Sequence, residues 1–203
     1  MTRLLNRSLW TLYALLSAAV AIFSYRYLPR IGPLGREILA NLFARPWLDV
    51  HVAGAATALL VGPLQFLSWV RRRFPALHRT LGRVYVIGCL AGGAGGLVMA
   101  FGSTAGPIAT VGFASLAVCW ITANVQGWRL AVARRFDDHR AWMLRSFAMT
   151  FAAVTLRIYI VVLPMMGVAE IDAYRASAFL AWIPNLLLVE LYLRGRRERA
   201  VAA

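Results

Sequence analysis

Six apolar stretches of about 20 residues each, broken by short arginine-bearing loops, leave this chain few folds to choose from. They run roughly over residues 9–28, 48–70, 84–101, 107–130, 141–164 and 176–193. As a helix, each is long enough to cross a hydrocarbon core of roughly 30 Å. Almost nothing remains for a water-soluble domain. The expected fold is therefore all-α, an integral membrane six-helix bundle in a single membrane domain over residues 1–203. Helices 2–6 should form its core over residues 48–194, with residues 1–47 as a peripheral first helix and external loop.

Composition agrees with a life in lipid. Of 203 residues, 61% are hydrophobic and only 15% charged, less charge than a soluble domain carries. The net charge is +14, and all 22 basic residues are arginine. Such a charge can serve nucleic acid or a membrane. Here the arginines gather at the ends of apolar runs, as in Arg71, Arg72, Arg73, Arg79 and Arg83, and again in Arg194, Arg196, Arg197 and Arg199. That is a membrane-topology pattern with no basic groove or reading helix, so nucleic acid is not an expected partner. Positive charge is retained on the cytoplasmic side. The arginine-rich segments 71–83 and 129–140 and the tail after 194 share one side by parity. A bacterial inner membrane with both termini cytoplasmic is the expected setting. The loop with Arg26, Arg30, Arg36 and Arg45 runs against this rule but is outvoted. Ala19-Val20-Ala21 could pass for a signal-peptidase site, yet the apolar run continues to Phe23, which favours an uncleaved anchor. Cys89 and Cys119 fall within spans and lack metal or redox spacing, so they read as small hydrophobes.

Small residues mark the faces where helices should meet. Gly88, Gly92 and Gly96 recur at every fourth position of the third span. Close backbone approach through small residues is a main source of helix association in lipid. This face predicts a packing groove; the sharper alternative is a surface for a flat cofactor. His51, Gly54, Ala58, Gly62 and Gln65 share one face of the second span, with Pro63 expected to kink it. In the fifth span His139, Ser146, Thr150, Ala153 and Arg157 share another, and Asp137 or Asp138 is the expected N-cap.

Ionisable groups within spans are costly and by default mark function or a specific partner. At 1.5 Å per residue, Arg157 should lie toward the external side near Asp49 and His51. Glu190 should lie toward the cytoplasmic side near Arg145, Gln65 and Asn124, with Asn185 on the same helix. Arg145 and Arg157 could instead snorkel to lipid phosphates. His78 and His139 each stand at the cytoplasmic start of a span, with Pro75 placed to open the helix that carries His78. Neutral imidazole binds metals. Two histidines at one level beside a glycine-lined gap would suit bis-histidine ligation of a b-type haem. The bland alternative is a pair of interfacial histidines bonded to backbone or headgroups.

Several of these motifs together resemble a known family. They are His51-Val-Ala-Gly-Ala-Ala, Gly62-Pro-Leu-Gln-Phe66, Pro75-Ala-Leu-His-Arg-Thr-Leu-Gly-Arg-Val-Tyr85, His139-Arg-Ala-Trp-Met-Leu-Arg-Ser146, Thr155-Leu-Arg157 and Trp182-Ile-Pro-Asn185 with Glu190. The chain is similar over about residues 48–193 to the bacterial membrane proteins grouped as domain of unknown function 2306. The likeness implies a multi-span protein with its polar residues at these positions, and no activity. A fainter architectural likeness links it to b-type membrane cytochromes, which hold haem between helices through histidine pairs. With three histidines in all, at most one such haem is supported.

Three functions follow as expectations. One is a single-haem or quinone-linked redox protein, with His78 and His139 as axial ligands, Arg79 or Arg145 neutralising propionates, and Gly88, Gly92 and Gly96 lining the haem. The second is a proton-coupled transporter using Arg157 and Glu190, with Pro63 and Pro184 breaking helices. The third is an accessory subunit packed on another membrane protein.

Overall fold

The computed structural model describes residues 2–32 and 35–201, and every regular element among them is helical. In chain order these are α1 (Thr2–Tyr25), α2 (Arg36–Leu39), α3 (Ala44–Gln65), α4 (Ser68–Arg73) and α5 (Pro75–Phe101). They continue as α6 (Pro107–Val132), α7 (Phe136–Thr150), α8 (Ala152–Met165), α9 (Glu170–Leu180) and α10 (Ile183–Val201). Six spans long and apolar enough to cross a membrane result: Ser8–Tyr25, Ala44–Gln65, Pro75–Phe101, Pro107–Val132, Phe136–Met165 and Glu170–Arg199. The all-helical, six-span expectation holds. The fifth span is α7 followed by α8, and the sixth is α9 followed by α10.

Helix starts obey local chemistry. Proline opens both α5 and α6, where its missing N–H would have had no partner anyway. The start of α7 departs from expectation. Arg135 occupies the N-cap, and Asp137 and Asp138 both lie inside the first turn. The Asp138 carboxylate pairs with the Arg135 guanidinium at 2.7 Å, a stronger partner than a neutral amide. Both acids still sit at the positive end of the helix dipole. Helix α3 ends at Gln65, within a turn of Pro63.

Contacts divide the chain into two compact units, Met1–Thr104 and Ala105–Ala203, with no linker or shift of composition to mark the boundary. The first unit is organised around α3 and α5. A β-carbon on Gly54 would stand 2.5 Å from the Gly88 carbonyl oxygen and 2.6 Å from the Gly92 nitrogen. One on Gly92 would meet the Ala55 nitrogen at 2.8 Å. Only glycine lets two backbones lie this close. The glycine face of the third span is thus a packing groove, and α3 fills it. It leaves no space there for a flat ligand at Gly88 or Gly92, and the His51 ring covers Gly96. Helix α1 packs on α3, where the Tyr25 and Thr57 hydroxyls share a 2.7 Å hydrogen bond.

In the second unit α6 packs on α7, α9 on α6 and α8, and α10 on α7. Gly112 admits the Ala178 methyl group and carbonyl of α9. Three helix ends share one closure. After α8, Val168 N–H bonds the Leu163 carbonyl and Gly167 N–H that of Pro164, with Gly167 at φ 90°. After α6 the same pair of bonds runs from Arg135 to Leu130 and from Arg134 to Ala131; after α1 it runs from Ile31 to Arg26 and from Arg30 to Tyr27. Arg134 and Arg30 hold φ 59°, the left-handed region that favours glycine.

Two outcomes are expected in thermal unfolding of the detergent-solubilised protein. Gly54→Ala should lower stability by about 1–3 kcal/mol, because backbone atoms cannot yield to the new methyl. Gly127→Ala should cost less, because the atom its β-carbon meets, at 2.6 Å, is the mobile Met143 sulfur; equal losses would contradict the backbone-contact argument. Arg134→Gly should raise stability by about 0.5–1 kcal/mol by relieving the left-handed strain of an exposed L-residue. A lower midpoint would show that the arginine charge at the helix end outweighs that strain.

Candidate functional site

The polar side chains within the second unit form a seam between α6, α7, α8 and α10. Asn124 of α6 is fully buried, and its side-chain amide donates to the Trp120 carbonyl at 2.8 Å. The Ser146 hydroxyl of α7, also fully buried, donates to Asn124 Oδ1 at 3.1 Å. Trp120 Nε1–H donates to Thr150 Oγ1 at 2.9 Å, and Thr150 donates to the Ser146 carbonyl at 2.9 Å. Spacing explains the arrangement: Ser146 and Thr150 are one turn apart on α7, as Trp120 and Asn124 are on α6. Asn185 of α10 continues the seam, its amide lying 2.9 Å from the Ala181 carbonyl and 3.2 Å from Thr155 Oγ1. Trp120 is a member that sequence reasoning missed, and Thr155 entered it only as part of a family motif. An indole in a membrane span reads as apolar mass, and its N–H becomes informative only once a hydroxyl is known to face it.

Arg145 and Glu190, which the sequence placed at one height, meet in this unit. They form a two-pronged ion pair between α7 and α10, with Nε to Oε1 at 2.5 Å and Nη2 to Oε2 at 2.9 Å. The guanidinium also stacks over the Trp142 ring, 4.9 Å from its centroid. Arg145 is therefore committed to a carboxylate. The sequence offered it to a haem propionate or to lipid phosphates; here its Nε and Nη2 are held by Glu190. Arg157 donates from Nη1 to the Ala153 carbonyl one turn back on its own helix, at 2.7 Å.

Each unit holds a histidine fixed by a glycine carbonyl. In the first, His51 Nδ1 on α3 lies 2.7 Å from the Gly92 oxygen of α5. In the second, His139 Nδ1 on α7 lies 2.8 Å from the Gly127 oxygen of α6. A carbonyl accepts only, so Nδ1 is the donor in both rings. His78 is half-buried in the first turn of α5, where Arg79 is exposed. The Gln65 amide nitrogen is buried near Gly82 with no hydrogen-bond partner among the described residues. Asp49 forms no ion pair among the described residues. Nor is there, among them, a cluster of three or more histidine, cysteine or acidic side chains placed to hold a bare metal ion.

Comparison with protein-family models matches residues 48–193 to the family described as Predicted membrane protein (DUF2306). No curated protein matches the chain, and no solved structure does.

The ion pair sets a double-mutant test. Its side chains are 18% and 33% exposed, between the surface and fully buried regimes, so removing one partner should cost roughly 1–3 kcal/mol. Arg145→Gln and Glu190→Gln should each lower the unfolding midpoint, and the double variant should lose less than the two single losses combined. Strict additivity would mean the pair contributes nothing.

Proposed function

Because the chain belongs to the membrane-protein family grouped as domain of unknown function 2306, whose description carries no activity, we propose its role from its own side chains. It is a multi-pass membrane redox protein that binds one b-type haem, with His139 as an axial ligand. The observation that carries this reading is the bond from His139 Nδ1–H to the Gly127 carbonyl. Metal-bound imidazoles are held by such an outer hydrogen bond, which fixes the ring and directs the Nε2 lone pair at the iron. The sequence nominates His78 as the second ligand and Arg79 beside it as a propionate partner. Haem supplies one-electron chemistry when bound; the chain's part is to hold the ring plane and exclude water. A quinone or another membrane protein is the class of electron partner this role requires. The arginine-rich segments support a bacterial inner-membrane setting with both termini cytoplasmic.

The geometry favours this reading over a carrier built on Arg157 and Glu190. Glu190 is clamped by Arg145, and Arg157 bonds its own helix, so neither offers a free group to a passing ion.

The full-length protein, expressed with haem precursor and purified, should give a reduced-minus-oxidised haem difference spectrum. His139→Ala and His78→Ala should abolish it, while His51→Ala should keep it. A colourless wild-type protein would end the redox reading and leave the accessory-subunit role.

A further inference from the structure

The loop between α1 and α3 builds a groove of about 320 Å³ that the haem reading does not use. Its charged lining is Arg30, Arg45 and Asp49, and its apolar wall includes Leu39, Leu42 and Leu48. Three charged side chains thus face one small space. Among the described residues none of them is paired with another or with any other carboxylate or guanidinium. Opposite charges that share a groove without meeting leave their hydrogen-bonding capacity to a third party.

Its depth identifies the third party. The α1 span ends at Tyr25 and the α3 span begins at Ala44, so Arg30, Leu39 and Leu42 belong to the connection between two spans, and Arg45 and Asp49 to the first turns of the second. Phe43 and Trp47 are exposed beside it, as aromatic side chains are at headgroup level. Leu39 and Leu42 are exposed too, at 66% and 73%, an apolar edge suited to acyl chains. Arg30 adds a further sign. It closes the α1 end in a left-handed conformation at φ 59°, where glycine would be easier, yet keeps a long cationic side chain at the groove.

We propose that this groove holds the headgroup of a membrane phospholipid, with Arg30 and Arg45 on the phosphate oxygens and Asp49 on a headgroup hydrogen-bond donor. Guanidinium groups match phosphate oxygens in charge and geometry. A carboxylate in the same groove selects for a headgroup that also carries an ammonium or hydroxyl proton, such as ethanolamine or glycerol. The leucine wall takes the first part of the acyl chains. This site is independent of haem.

The test is lipid titration of the intact, detergent-solubilised protein, read by native mass spectrometry. The probes are dioleoyl phosphatidylethanolamine, dioleoyl phosphatidylcholine and inorganic phosphate. Wild type should bind the ethanolamine lipid more tightly than the choline lipid, whose headgroup has no N–H. Arg30→Gln/Arg45→Gln should weaken the ethanolamine lipid at least tenfold while the unfolding midpoint stays within a few degrees. Asp49→Asn should reduce the preference between the two lipids with little loss of choline-lipid binding. Unchanged binding in the double arginine variant would overturn the proposal. So would an equal loss in Arg72→Gln/Arg73→Gln, which removes two exposed charges elsewhere. Displacement of the lipid by inorganic phosphate at matched concentration would reassign the site to a soluble phosphate and overturn the lipid source.

Discussion

Two apolar helices in lipid have no reason to leave it for each other, since the hydrocarbon is as apolar as they are. Association must come from contacts that lipid cannot match, and in the first unit that means backbone against backbone. Gly54 on α3 faces Gly88 and Gly92 on α5 at distances that exclude even a methyl group. The approach also exposes the Gly92 carbonyl to the His51 ring, so one residue type supplies both the close contact and the acceptor. In the second unit Gly127 repeats the device for His139, with the Met143 side chain beside it.

Hydrogen bonds supply the second kind of contact. Each polar group in the seam from Trp120 through Thr150, Ser146 and Asn124 finds its partner inside the unit. The Arg145–Glu190 pair ties α10 to α7 in the same way. These groups lock helices together. Functional capacity therefore concentrates where side chains are oriented but not used up. The His139 ring, oriented by the Gly127 carbonyl, and the groove lined by Arg30, Arg45 and Asp49 both stand near the end of a span, and the two proposals above rest on them.

Much of the fold was legible in the chain, because crossing a membrane is a local and additive demand. Any apolar run of sufficient length meets it, whatever its neighbours do. The polar residues were legible for the same reason: Asn124, Arg145, Arg157, Asn185 and Glu190 stand out against an apolar background. Height along the bilayer brought Glu190 to the level of Arg145, which proved to be its partner. Height alone did not reveal that the two clasp each other. Trp120 carried no signal at all until its neighbours were in place.

The sequence by itself determined the solvent, the number of crossings and the small-residue face on the third span. Tertiary structure alone decided what fills that face, which carboxylate Arg145 meets, and which ring nitrogen of His139 faces the Gly127 carbonyl. The reason is geometric. Hydropathy is summed along a helix and does not depend on how the helix is turned. A hydrogen bond between helices exists only when rotation, tilt and height of two distant segments agree to within a fraction of a turn.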